Sequence, residues 1–144
     1  MIDLINQQRK IKISLEPFRA FAEKAVETIP QTENKSLTIA FASDRKMREL
    51  NKMFRGKDST TDVLSFPFEA DEFEIDEQNL GDIIISVEQA ARQAAENNLN
   101  LELEIKQLIL HGILHLCGYD HETDQGEMNT LELELRDKLG ITDN

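Results

Sequence analysis

Hydrophobic positions along the chain change their spacing several times, and each change marks an element. Ile2 and Leu4, then Ile11 and Ile13, alternate with other residues as one or two short strands would. Phe18, Phe21, Ala22, Ala25, Val26 and Ile29 recur at helical spacing, with Pro17 suited to the first turn and Pro30 as a stop. A polar loop at 31–35 follows, and Leu37, Ile39 and Phe41 alternate again. Ser43 is placed to cap a helix whose apolar face is Met47, Leu50 and Phe54 and which ends at Gly56. Residues 61–68 read as a loop entering a short strand, and Pro67 restricts that strand to an edge or to its own last residues. The apolar run at 81–86 predicts a strand buried on both faces, closed by Ser86 and Gln89 as the capping box of a helix to about Asn97. A helix from near Asn100 carries Ile105, Leu108, Ile109, Gly112 and Ile113. It is apolar on most sides, so it belongs at the centre. Met128, Leu131, Leu135 and Leu139 mark a final amphipathic helix.

Strands interleaved with helices, without repeats or linkers, predict a single domain over residues 1–144. Its class is α/β (α+β), a small mixed sheet covered by about five helices. A chain of 144 residues is long enough for a real hydrophobic core. It has no apolar run able to span a bilayer, no signal-peptide pattern at its start, and one cysteine, so the expected location is the cytoplasm.

Charge adds one qualification. The net charge is −12, which by itself argues against a nucleic-acid partner. Between Arg45 and Lys57, however, Arg45, Lys46, Arg48, Lys52, Arg55 and Lys57 face only Glu49, so this segment carries +5 and leaves −17 elsewhere. Arg45, Arg48, Lys52 and Arg55 fall at steps of three and four, forming a basic stripe along a helix. Taken alone, such a stripe is most simply a solvated face. It can also focus a polyanion onto one strip of an otherwise repelling surface.

All three histidines lie within eleven residues: His111, His115 and His121. His111 and His115 share one helix face, with Cβ atoms roughly 5–6 Å apart. Gly118 is positioned to end the helix in a left-handed conformation and to turn His121 back toward that pair. Three imidazoles with one open position describe a catalytic zinc site on the central helix and the turn after it. Cys117 and Asp120 are the alternative ligands nearby. Cys117 at the end of an apolar helix fits better as a small buried residue, and Asp120 as the cap of the next helix or a carboxylate orienting an imidazole. The spacing also fits the metzincin protease pattern, except that Gly112 stands where those enzymes carry their glutamate general base. Without that carboxylate the peptidase mechanism lacks its proton acceptor. A zinc-bound water with a pKa near 7 remains useful for phosphodiester hydrolysis, where a second cation such as Arg55 matters more than a carboxylate.

The run His111-Gly-x-Leu-His-Leu-x-Gly-Tyr-Asp-His121 resembles the signature of the bacterial YbeY-type endoribonucleases, or rRNA maturation factors. Leu50-Asn51 leading to Phe54-Arg55, Thr61-Asp-Val-Leu-Ser-Phe-Pro67 and Gly81-Asp-Ile-Ile-Ile-Ser86 match in order and separation, from about Leu37 to Leu139. The resemblance implies one zinc ion held by His111, His115 and His121, with Arg55 beside it. It implies cleavage of single-stranded RNA in 16S rRNA 3′-end maturation and ribosome quality control, with His115 and Arg55 as catalytic residues. The small ribosomal subunit, ribosomal proteins and a ribosome-associated GTPase are the implied partners, with no membrane and no DNA. Thr60 departs from the pattern, because members often carry proline there, and is expected to loosen the loop. Within this reading Thr61, Asp62 and Ser65 either line the pocket or, equally well, serve the structure of the loop, Tyr119 is core packing before base stacking, and aromatic stacking platforms are nearly absent. Two competing readings remain: a non-catalytic ribosome-assembly factor with structural zinc, and a zinc hydrolase for another substrate.

Overall fold

The chain begins with strand β1 (Ile2–Asn6), which pairs in parallel with β2 (Ser36–Ala42) through helix α1 (Glu16–Thr28). A computed structural model describes residues 1–68, 78–120 and 124–142. Pro17 stands in the first turn of α1, whose Phe18, Phe21, Ala22, Ala25 and Val26 enter the core. Ile11 and Ile13 do not form the second strand that their alternation predicts. The buried Gln8 side chain takes the place of a neighbouring strand, donating to the Ile11 carbonyl (2.8 Å) and accepting from the Ile11 N–H (3.0 Å). The loop expected from 31 tightens into a 3₁₀ turn at Pro30–Thr32, where the buried Thr32 hydroxyl donates to the Val26 carbonyl.

Helix α2 (Asp44–Arg55) starts on Ser43, whose hydroxyl accepts from the Lys46 N–H, and stops at Gly56 with φ 69°. Strands β3 (Val63–Pro67) and β4 (Asn79–Ser86) pair antiparallel, and β4 lies parallel to β2, giving the mixed order β1-β2-β4-β3. Pro67 thus sits on an edge strand, as its missing N–H requires. Gly81 brings β3 and β4 together: its φ is 132°, and a Cβ there would lie 2.2 Å from the Phe66 carbonyl oxygen. Helices α3 (Val87–Glu96), α4 (Leu101–Leu116) and α5 (Glu127–Leu139) complete five α-helices among the described residues. The expected class and layout are therefore those found.

Leu37, Ile39, Phe41, Ile83 and Ile85 share one face of the sheet and are buried under α1 and α4. Burial of about 25 cal/mol per Å² of apolar surface makes this layer the main stabilising mass. The opposite face is covered only in part. Ile84 is half-buried and Ile5 is 45% exposed, so two-sided burial at 83–85 does not hold. α2 lies on that second face. Met47 is fully buried there, but Phe54 is 59% exposed and Asn51 is buried in the stripe instead, donating to the Ser59 carbonyl (2.9 Å). The apolar face expected of Met47, Leu50 and Phe54 therefore ends before its last member.

Candidate metal centre and the cleft beside it

α4 is positioned by steric fit. A Cβ on Gly112 would lie 3.0–3.1 Å from three carbons of the fully buried Ile83 side chain. The glycine lets the helix sit directly on β4, and Ser65 of β3 donates to the Gly112 carbonyl at 3.5 Å. The position that would carry a protease's glutamate therefore faces the sheet. A carboxylate there would enter the apolar layer, where an unpaired charge is costly.

His111 adjoins this glycine and His115 follows it by about one turn, and both open onto a cleft beside β3. His111 and His115 are half-buried, their rings 4.6 Å apart at 74°, and their Nε2 atoms converge to 3.0 Å. Two nitrogens held about 2.0–2.1 Å from one zinc ion are separated by roughly 3.0–3.4 Å, so the pair fits a shared cation. The Nδ1 of His111 donates to Glu132 Oε1 at 2.7 Å, which leaves its Nε2 as the lone-pair side. Glu132 is buried on α5 and is itself met by Arg136 at 3.5 Å. A carboxylate behind a metal-binding imidazole fixes its tautomer and its ring direction. Glu132 is the residue that sequence reasoning missed.

After His115 the helix reverses as Gly118 predicts. Gly118 has φ 96°, its N–H donates to the His115 carbonyl, and the Tyr119 N–H donates to the Leu114 carbonyl, a Schellman closure. The reversal brings Asp120 to the cleft that His111 and His115 line. His121 lies outside the described residues, as does the acidic loop at 71–77. Asp120 does not cap α5. The N-cap position of α5 is Gly126, and Asp124, two residues before it, accepts from the Met128 N–H at 2.9 Å. Burial pushes the Cys117 thiol above its ordinary pKa, with Lys35 opposing, so it stays protonated at neutral pH and packs against the core. Tyr119 also packs there, its hydroxyl accepting from Gln31.

The cleft measures about 610 Å³, and all of β3 lines it. Arg55, at the end of α2, opens onto the same space as His111 and His115, together with Thr61, Asp62 and Ser65. A second cavity of about 460 Å³ shares Asp62 and His111, and it extends past Gln93 and Glu104 to Arg136. Gln93 donates to both Asp62 (3.2 Å) and the buried Glu104 (3.0 Å), tying the loop before β3 to α3 and α4.

The basic stripe divides in two. Arg45 and Lys46 reach Glu49, and Arg48 bonds Asp58 at 2.8 Å. Lys52, Arg55 and Lys57 have no carboxylate within 4.0 Å among the described residues. The unpaired positive charge therefore collects at the cleft end of α2, where the negative pole of the helix favours it. The other end of α2 is anchored by Asp44. Its carboxylate accepts from Ser86 (2.6 Å), Arg92 (2.6 Å) and Thr60 (3.1 Å). Burial would raise its pKa, but these hydrogen bonds outweigh burial and hold it below the ordinary value of 3.8. Thr60 thus ties the loop down with its hydroxyl rather than loosening it.

Residues 3–140 match the family model described as endoribonuclease YbeY. The chain belongs to that family. The endoribonuclease class expected from the sequence stands with it. An endoribonuclease YbeY of Clostridioides difficile (strain 630) is 38% identical across 98% of this chain and 99% of its own length. The endoribonuclease YbeY of Aquifex aeolicus (strain VF5) is 45% identical across 79% of this chain and 74% of its own. A solution structure of a Thermotoga maritima protein shares the fold with a TM-score of 0.66 at 29% identity, covering 96% of this chain and 89% of that one. No helix of the described residues is long and apolar enough to cross a membrane.

Proposed function

We propose that the chain is a zinc-dependent, single-strand-specific endoribonuclease of ribosomal RNA precursors, acting in 16S rRNA 3′-end maturation and ribosome quality control. The cytoplasm is its proposed location, and the small ribosomal subunit with its associated proteins its proposed partners. One observation carries the reading. Two imidazole Nε2 atoms converge to 3.0 Å on a cleft that also receives the exposed Arg55, and one of the two is backed by a buried carboxylate.

His111 and His115 would hold the ion, with His121 as the third ligand that the motif implies. When bound, zinc supplies Lewis acidity toward a phosphodiester and lowers the pKa of water. The chain's own groups do the rest. Glu132 holds the His111 Nδ1–H, keeping its lone pair aimed into the cleft. Arg55 offers an exposed guanidinium to the negative charge that grows on the phosphoryl oxygens, and a guanidinium matches that geometry with two parallel N–H donors. Lys52 and Lys57 draw the RNA backbone toward it, an attraction that falls with salt.

The open cleft of about 610 Å³ beside both imidazoles favours this reading over a closed structural zinc. Gly112 against Ile83 weighs against the peptidase reading, since α4 has no room for a base at that position. The test is cleavage of single-stranded RNA spanning a 16S rRNA 3′ end by wild type and His115→Ala purified in parallel. Cleavage by the wild type and none by the variant is expected. Equal cleavage by both would overturn the proposal.

A further inference from the structure

Phe54 is an aromatic side chain left in the open. It is 59% exposed on a helix whose other outward residues, Met53 apart, are mostly charged or polar. Its ring is nevertheless held. Phe54 meets Phe66 edge-on, with centroids 5.1 Å apart and planes at 64°, and both rings line the cleft that contains Arg55, His111 and His115. Phe66 is half-buried on β3 and braces its partner, while 59% of Phe54 stays uncovered. Arg55 follows it directly in sequence, and Lys52 and Lys57 lie within three residues, all without carboxylate partners among the described residues.

We infer that Phe54, braced by Phe66, is a stacking platform for one unpaired nucleobase of the RNA, next to the cationic end of α2 that holds its backbone. The inference rests on the endoribonuclease reading of this cleft. Every nucleobase has a π-face, so the platform favours RNA without reading its sequence. A base inside a duplex is already stacked on both sides and has no free face to offer. The platform therefore gives the cleft a physical reason to prefer single strands, one that the phosphate-binding cations cannot supply. It also revises the expectation that stacking aromatics are nearly absent.

The occupant is chosen by charge. A protein partner seated on Phe54 and Met53 would also have to meet Lys52, Arg55 and Lys57, three exposed cations without carboxylate partners among the described residues, beside a cleft that an RNA-cleaving enzyme keeps for its substrate. A nucleotide satisfies ring and cations together.

The test is a thermodynamic cycle read by fluorescence anisotropy, using a short single-stranded RNA and copies with one abasic site walked through each position. The full-length chain is compared with Phe54→Leu, which keeps apolar bulk without a π-face, and Phe54→Trp, which enlarges the ring. Phe54→Leu is expected to weaken binding about tenfold, and Phe54→Trp to bind at least as tightly as wild type. At one position, removal of the base should weaken wild-type binding by a similar factor and leave Phe54→Leu unaffected. Wild-type affinity in Phe54→Leu, or an abasic penalty equal in both proteins at every position, would overturn the inference and hand the patch to a protein partner. The same cycle repeated with His115→Ala in every protein keeps the RNA intact, so this outcome is separate from any failure of His115-dependent cleavage.

Discussion

The two walls of the cleft are built on opposite principles. The α4 wall is set from within: Gly112 rests on Ile83, the imidazoles are half-buried, and the buried Glu132 stands behind one of them. The α2 wall is set from its far end. Asp44 anchors the first turn, while Phe54 and Arg55 project from the last turn into solvent. A site that must hold an ion at fixed distances needs the first kind of wall. A site that must admit a long, charged polymer needs the second, because exposed cations keep their reach and lose little to desolvation.

The sharpest way to separate the walls is to remove one function from each. Arg55→Ala should lower kcat/KM for RNA by roughly 10²–10³ while zinc affinity stays at the wild-type value, since its guanidinium serves the developing charge and not the ion. A parallel loss of zinc in a metal titration would join the two walls and break the comparison. Glu132→Gln should do the reverse. Zinc affinity should fall about 10–100-fold, with cleavage recovered when zinc is raised in proportion. Unchanged affinity in a chelator competition would show that the carboxylate does not set the imidazole.

The smallest effect concerns the anchor. The Asp44 carboxylate is held below its ordinary pKa, so its contribution to stability is full above about pH 4 and disappears as pH falls through the lowered folded value. Asp44→Asn should therefore melt earlier than wild type at neutral pH, by about 1–2 kcal/mol, with the gap closing in acid. A gap that stays constant down to acid pH would assign the loss to packing instead of charge.

Much of the α4 wall was legible in the sequence. The period of three and four around Ile105–Ile113, the paired histidines and Gly118 each act locally, and local rules place them. Glu132 was missed although it falls at helical spacing between Met128 and Leu135 on the buried face of α5, because its partner His111 lies on another helix, 21 residues away. Phe54 was misread for a different reason. Spacing puts it in line with Met47 and Leu50, but at the last turn of α2 it meets the edge strand through Phe66 and is otherwise open, so the same stripe is buried at Met47 and exposed at Phe54. Periodicity tells which side of a helix faces in. It does not tell where the neighbour stops.

The floor of the cleft carries one more consequence. The bonds Ser86 N–H to Asp62 carbonyl and Phe68 N–H to Leu80 carbonyl fix which residues of β3 face β4, and they leave Val63, Ser65 and Pro67 directed to the free edge. An open edge of this kind is an invitation to strand addition and aggregation. Here the Val63 N–H is taken by the Asp62 side chain at 2.7 Å, and Pro67 has no N–H to give. An incoming strand would find one free amide, that of Ser65, beside the outward carbonyls of Val63, Ser65 and Pro67. The edge that borders the cleft is thereby poorer in donors than an ordinary free strand, which disfavours strand addition there without filling the space.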